Sequence, residues 1–216
     1  MSFRRDLLAA GAALLTTTLA APVLAATRTM PRMTDGPFYP PARWRAERGD
    51  DWDADLTQRS GAGPASGEHL GLSLRLVDTD GRAIDGADVE IWQCDALATY
   101  HHPDVRLAPG RHDPHFQGFG AAATDREGAV RMRTIRPIPY PGRTPHIHVK
   151  LRHVNFGELS SQLFVDGDPG NARDFLWRRL DAAGQQALAM QLVPAEGAAR
   201  DAGLRWQVTH TLVLPA

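Results

Sequence analysis

Cysteine is almost absent from this chain of 216 residues, in which Cys94 is the only one. A single thiol excludes an intramolecular disulfide framework and a cysteine-rich zinc site. An excess of charge of either sign is also lacking, because 24 Lys and Arg residues are balanced by 25 Asp and Glu residues, for a formal net charge of -1. This balance gives no indication of a nucleic-acid partner.

Aromatic residues are scarce at 7%, whereas glycine (20) and proline (16) are plentiful. This composition is more typical of a turn-rich β protein than of a helical bundle. A chain of this length can form one domain with a substantial core.

Long apolar runs are lacking except near the N-terminus, where one extends from Leu7 to Leu24. It follows Arg4 and Arg5 and ends at a small-residue cleavage site at Ala25, the organisation of an export signal. The paired arginines favour the twin-arginine route, with an ordinary secretory signal as the alternative. We therefore predict an export signal over residues 1–25, no membrane association once it is removed, and a periplasmic or secreted protein.

Alternating apolar and polar residues predict most of the remaining elements. Strands are predicted over residues 70–77, 89–93, 130–134, 146–154, 162–165 and 204–214, and a helix over 172–192 with a break at Gly184. Residues 27–66 show little periodicity and are interpreted as an extended arm. The prediction is a mainly β protein, an antiparallel β-sandwich over residues 67–216 with long irregular loops and a short C-terminal helical segment.

Two histidines lie two residues apart in the strand that begins near Pro145. The period of two places His146 and His148 on the face opposite Ile147, about 6.5–7 Å apart along the backbone, close enough to bind one metal ion. A pair of solvent-facing histidines on an edge strand is the alternative. The other histidines lack such a context and are predicted to be structural or exposed.

Two tyrosines lie in loops close to this histidine pair in the sequence. Tyr140 sits in a proline-rich turn between Pro139 and Pro141, and Tyr100 follows the end of a strand. Either tyrosine alone would more often be a packing residue with a hydrogen-bonded hydroxyl. Phenolate is a hard anionic donor, so a site that combined it with imidazole would suit ferric iron.

Several short sequence segments, in this order along the chain, resemble segments of the intradiol ring-cleavage dioxygenases. Within that family, the chain is more similar to the protocatechuate 3,4-dioxygenase branch. The segments are Thr34–Tyr39, Val89–Gln93 with Tyr100, Thr134–Tyr140, Arg143–His148, and Gln162–Phe164 with Gly167–Pro169. The chain lacks the long N-terminal helical segment of the catechol 1,2-dioxygenase branch.

The resemblance implies an enzyme that uses Fe(III) and O2 to cleave a small aromatic ortho-diol between its hydroxylated carbons, giving a cis,cis-muconate-type diacid. It implies iron ligands Tyr100, Tyr140, His146 and His148, with Tyr140 leaving when substrate binds. Arg143 would stabilise negative charge on the substrate ring. Gln162 would lie near the substrate, unless it merely caps a strand. The family's members are often multimeric, which allows a homo-oligomer.

The segment between Tyr140 and Arg143 is shorter than in many family members, so we expect a more open site and assign no single catechol as substrate.

Two other functions are weighed against the enzyme. A catalytically silent β-sandwich could bind catechols or metal, although the complete ligand set argues against it. A metal-dependent hydrolase built on His146 and His148 would lack an evident carboxylate ligand.

Overall fold

The computed structural model describes residues 28–215, so the predicted export signal lies outside the described residues. These residues form nine strands, β1 to β9, and three short helices, α1 to α3. The strands are β1 His69–Val77, β2 Asp88–Trp92, β3 Phe119–Ala123, β4 Ala129–Ile135, β5 His146–His153, β6 Gly157–Val165, β7 Ala189–Met190, β8 Val193–Pro194 and β9 Trp206–Val213. The helices are α1 Ala42–Arg48, α2 Ala182–Leu188 and α3 Gly197–Asp201.

The strands form two sheets, with strand orders β4-β1-β9-β8 and β3-β2-β5-β6-β7. Most neighbouring strands are antiparallel, but β1 pairs with β9, and β6 with β7, in parallel. The predicted mainly β sandwich is therefore confirmed, and two of its strand pairs are parallel. The last strand enters the middle of the first sheet beside β1, after a connection long enough to allow the parallel direction.

The core lies between the two sheets. On β1 the side chains of Leu70, Leu72, Leu74 and Leu76 are at most 1% exposed, as the alternation of that strand predicts. The other sheet contributes Ile147, Val149 and Leu151 of β5, all 0% exposed. Burial of each such aliphatic side chain stabilises the fold by about 1.5–3 kcal/mol.

The helix predicted over residues 172–192 forms only in part, as α2, which with α3 confirms a short C-terminal helical segment. The structure has single 3₁₀ turns at Asn171–Arg173 and Trp177–Arg179, followed by α2 and β7. The carboxylate of Asp174 accepts hydrogen bonds from the backbone of Leu176 and Trp177, and that of Asp181 accepts one from Gly184. Each aspartate thus caps a new turn, which interrupts a continuous helix. Gly184 lies inside α2 and does not interrupt that helix.

The segment before β1 lies against the sheet that carries β5 and contains the helix α1, which the periodicity did not predict. Buried charges hold it there. Lys150 contacts Asp35 Oδ2 at 2.8 Å, and its Nζ lies 4.0 Å from the centre of the Tyr39 ring. The Tyr39 hydroxyl donates to Glu90, which is only 3% exposed. These contacts form a buried polar layer, which holds the segment that includes Phe38 against the sheet.

No helix between residues 28 and 215 is long and apolar enough to cross a lipid bilayer.

Candidate metal centre

His146 and His148 lie side by side on β5, with their side chains on the sheet face opposite the core. Both are 2% exposed, so the alternative of two solvent-facing histidines is wrong. The ring of His148 stacks on Trp92 of the neighbouring strand, with centroids 4.7 Å apart and planes 11° from parallel. Packing on this indole fixes the orientation of the imidazole.

The two imidazoles face each other through Nε2 atoms that are 3.3 Å apart. Nδ1 of His146 lies 2.7 Å from the Thr144 carbonyl oxygen, which assigns the proton to Nδ1 and leaves a lone pair on Nε2. Burial, assisted by nearby Arg143, lowers the pKa of His146 to about 3. Burial and the neighbouring His146 lower the pKa of His148 well below its usual value. Both rings are therefore neutral near pH 7 and can donate lone pairs.

Tyr100 is held by a loop that the buried carboxylate of Asp95 organises. Asp95 is 0% exposed and accepts hydrogen bonds from the backbone of Leu97 at 2.9 Å, Thr99 at 3.0 Å and Asp113 at 2.6 Å. The same loop places Ala98 at φ 60°, a left-handed conformation that costs a non-glycine residue about 1 kcal/mol or more. The loop is therefore strongly determined by its hydrogen bonds.

The Tyr100 hydroxyl is buried and, among residues 28–215, has no hydrogen-bond partner. An unsatisfied buried hydroxyl is costly, so a group that binds its oxygen would stabilise the site. Burial, followed by the neighbouring Tyr140, raises the pKa of Tyr100 well above its usual value. In the protein alone this side chain is a neutral phenol, and only a cation placed beside it would favour the phenolate.

Tyr140 stands beside Tyr100 and His146 but is more exposed. Its ring centroid lies 5.5 Å from each of theirs. Burial raises its pKa, although Arg143 opposes the shift through its charge and a hydrogen bond. The chain turns sharply after Tyr140, whose carbonyl oxygen accepts the Arg143 N–H at 2.9 Å, with Gly142 at a φ of 84°. The short segment noted in the sequence is therefore a tight turn.

Arg143 is anchored on three sides. Its Nε donates to Asp174 Oδ2 at 2.8 Å, and its Nη2 donates to Gln162 Oε1. Its Nη1 lies 3.3 Å from the Tyr140 hydroxyl and 3.4 Å from Nε2 of His146. The predicted charged group is thus aimed at two of the predicted ligands.

Gln162 lies opposite His148 in the pairing of β5 with β6 and is 1% exposed. Its contact with Arg143 gives it a definite partner in the site.

Asp174 was not singled out in the sequence because it fell inside the predicted helix. The general preference of aspartate for capping positions was the one signal that could have marked it.

The four predicted ligands therefore converge, although they come from three separate loops and strands. No group of three or more His, Cys, Asp or Glu able to hold a metal occurs within residues 28–215, so any metal here needs the tyrosines. Facing imidazole lone pairs and an unsatisfied phenol fit a metal ion that accepts both N and hard O donors. The residues present are compatible with iron.

Two cavities are lined by residues of the surrounding loops, and neither lining includes one of the four predicted ligands. One of about 570 Å³ is lined by the turn after Tyr140 together with Arg143, Asp168 and Arg173. The other, about 750 Å³, lies between Tyr39–Arg43 and His102–Arg106. Each is large enough for a single-ring ligand.

Comparison with known proteins identifies the family of this chain. A family model described as Dioxygenase matches residues 35–211. The protocatechuate 3,4-dioxygenase beta chain of Burkholderia cepacia is 36% identical over 146 residues, 63% of this chain and 61% of that protein. Catechol 1,2-dioxygenase of Pseudomonas sp. (strain EST1001) is 28% identical over 206 residues, 84% of this chain and 61% of that protein. The chain thus spans about three fifths of each of these relatives.

Among solved structures, similarity extends to the dioxygenase domain of a dioxygenase carbohydrate-binding protein fusion from Streptomyces sp. SirexAA-E. It is 25% identical with a TM-score of 0.61, and the match covers 88% of this chain and 99% of that one. Because the family model covers most of the described residues and includes the whole cluster, the chain belongs to the intradiol ring-cleavage dioxygenase family.

Proposed function

We propose that this protein is an Fe(III)-dependent intradiol dioxygenase, which uses O2 to cleave an aromatic ortho-diol between its hydroxylated carbons and releases a cis,cis-muconate-type diacid. The observation that carries the proposal is the convergence of two tyrosine hydroxyls, one without a partner among the described residues, on two neutral imidazoles. Arg143 adds a fixed positive charge beside them.

Ferric iron, when bound, is a Lewis acid that lowers the pKa of diol hydroxyls. We propose that Tyr100, Tyr140, His146 and His148 would hold it. Tyr100 is suited to remain in place because it is 4% exposed beneath Phe38. Tyr140 is half-buried at the start of a turn, so its ring can move aside when the diol binds. Held by the metal, its oxygen would be a phenolate, which can take up one of the diol protons.

Arg143 would act on the substrate ring. Its guanidinium is already oriented by Asp174 and Gln162, so no reorganisation is needed when negative charge develops on the ring. A preorganised donor of this kind contributes about 3–4 kcal/mol to stabilisation of a transition state. The 570 Å³ cavity beside Arg143 admits a single aromatic ring.

An oxygen-electrode screen with catechol, protocatechuate and hydroxyquinol tests the proposal, together with mass analysis of the products. We expect oxygen uptake with at least one diol, a product heavier than substrate by both oxygen atoms, and a red-brown colour in the purified protein. The Tyr100→Phe variant should lose the colour. The chain has only three tyrosines, so Tyr39→Phe is the matched control and should keep it.

A colourless protein with full-occupancy zinc would contradict the proposal. Tight binding of catechols without oxygen uptake would instead favour the catalytically silent binding module.

We also propose that the protein acts outside the cytoplasm. The support is the sequence of residues 1–25, with Arg4 and Arg5 before an apolar run. Replacement of both arginines by lysine should stop export if the twin-arginine route is used. Continued export of that variant would favour the general secretory route.

A further inference from the structure

A single buried carboxylate, that of Asp174, joins the loop after β6 to the turn that carries Arg143. Its side chain is 0% exposed and lies outside the four predicted ligands. Oδ2 accepts the Nε–H of Arg143 at 2.8 Å and the backbone N–H of Thr144 at 3.0 Å. Oδ1 accepts the backbone N–H groups of Leu176 at 2.9 Å and Trp177 at 3.1 Å. Both oxygens are thus committed to hydrogen bonds within the protein.

These contacts constrain two parts of the candidate site. With Nε bound to Asp174 and Nη2 to Gln162, the planar guanidinium has one remaining edge, Nη1, which faces Tyr140 and His146. A planar fork held at two points cannot rotate about its long axis. The backbone of Thr144 is also held at two points. Its N–H donates to Asp174, and its carbonyl oxygen accepts from His146 Nδ1.

The neighbouring residues reinforce this connection. Thr144 Oγ1 donates to Asn171 Oδ1 at 2.8 Å, and Asn171 Nδ2 donates to the Val165 carbonyl oxygen at 2.9 Å. The stretch that contains Gly167–Pro169 therefore docks onto the turn of Arg143 through side chains. These contacts are architectural. Asp174 accepts a hydrogen bond from the guanidinium, and the ring centroid of the next residue, Phe175, lies 5.2 Å from Arg143 Cζ.

We propose that Asp174 is a positioning residue for the ring-cleavage reaction, which acts through Arg143 by fixing the direction in which Nη1 points. The expected change in kcat rests on the proposed function, whereas the fixed direction of Arg143 Nη1 does not. A carboxylate that served only to cap the turn at Leu176 would affect stability. A carboxylate that positions Arg143 affects the chemical step and the environment of Tyr140.

A double-mutant cycle between Asp174→Asn and Arg143→Ala in the iron-loaded protein tests this. We expect each single variant to lower kcat per bound iron by about 100-fold, with smaller changes in KM, since displacement of a catalytic group by about 1 Å costs this much. The double variant should be no slower than Arg143→Ala, because Asp174 then has nothing left to position. Asp181→Asn is the control. It removes another carboxylate that caps a turn and pairs with an arginine, but one that is 59% exposed, and should leave kcat within about twofold.

A second readout needs no turnover. Arg143 Nη1 contacts the Tyr140 oxygen, so the visible absorption maximum of the iron-loaded protein without substrate should shift in the same direction in Asp174→Asn and Arg143→Ala. Losses of kcat that multiply in the double variant would overturn the inference, as would an unshifted spectrum. If Asp174→Asn fails to fold, Asp174→Glu keeps the charge and displaces it by one methylene. We expect about a tenfold loss of kcat from it, and unchanged kcat and spectrum would overturn the inference. If the wild type takes up no oxygen, the proposed function fails, and the spectral comparison still decides the role of Asp174.

Discussion

The ring of Phe38 lies flat against the ring of Tyr100, with centroids 4.1 Å apart and planes 8° from parallel. Phe38 also meets Tyr140 edge-on at 6.0 Å. It comes from the segment before β1, which the buried layer around Lys150 holds against the sheet. Tyr100, a predicted ligand, is therefore covered by a side chain from a distant part of the chain.

Removal of this cover should weaken retention of iron. In Phe38→Ala, water and chelators gain access to Tyr100, so we expect iron to be lost to a chelator at least tenfold faster than from the wild type. The rate is measured as decay of visible absorption. Phe156→Ala, which removes a ring that packs on His153 at the far end of β5, is the control. Equal rates in the two variants would contradict the idea that Phe38 shields the site.

The buried carboxylate of Glu90 should be important for stability. It meets Arg45 at 2.9 Å, Arg152 at 3.0 Å and the Tyr39 hydroxyl at 2.7 Å, and its side chain is 4% exposed. Glu90→Gln removes the charge that these donors face, so we expect a loss of about 2–4 kcal/mol in the free energy of unfolding. Denaturant titration measures it.

Glu127→Gln provides the comparison for that experiment, because Glu127 is exposed and should change stability by less than about 0.5 kcal/mol. A similar small change in Glu90→Gln would show that the buried layer contributes little to the fold.

Stability should fall in acid. Burial would raise the pKa of Asp95, but the nearby His101 ring, 3.6 Å from the carboxylate, and hydrogen bonds from the backbone lower it below the usual 3.8. The pKa of Asp174 is shifted in the same direction. A carboxyl group whose pKa is lower in the folded state stabilises the protein above its unfolded pKa. This contribution is lost as the pH falls through the folded pKa. We therefore expect the free energy of unfolding to decrease below about pH 4.

Denaturant titrations at pH 6 and pH 2.5 test this expectation. Asp95→Asn should be less stable than the wild type at pH 6, and the difference should shrink at pH 2.5. Asp80→Asn, which alters an exposed carboxylate, should show no such trend. A constant difference between Asp95→Asn and the wild type would contradict the assignment.

Loss of the Gln162 amide should lower kcat more than it changes KM. Gln162→Leu keeps the volume of the side chain and removes the oxygen that accepts from Arg143 Nη2. One of the two anchors of the guanidinium is lost, so we expect kcat to fall by about 10- to 100-fold with a smaller change in KM. Steady-state oxygen uptake separates the two. An unchanged kcat would assign Gln162 to strand packing alone.

The sequence predicted β1, β2, β4, β5 and β9, and the C-terminal half of β6, because each of these strands has at least one face in the core. The strand β3 was missed, since Phe119–Ala123 consists mainly of glycine and alanine and has no apolar alternation. The predicted helix began about ten residues before the observed α2, because aspartate side chains compete with helical hydrogen bonds, an effect that composition does not reveal.

For the candidate site, the sequence placed both histidines on one face of a strand and identified Tyr100, Tyr140 and Arg143 by resemblance. It could not reveal Phe38 as the neighbour of Tyr100, or Asp174 as the partner of Arg143. These contacts join residues 62 and 31 positions apart through loops without periodic structure. Only the packing of those loops on the sheets brings them together.

The parallel pairing of β1 with β9 has a consequence for how the protein forms. β1 lies between β4 and β9, and Leu70 and Trp206 are partners although 136 residues separate them in sequence. Such pairing gives a high contact order, which slows folding because a long loop must close before the contact is gained. During synthesis β1 gains its second neighbour only after β9 has left the ribosome. Until then one edge of β1 remains open, so nascent chains should depend on chaperones to prevent aggregation.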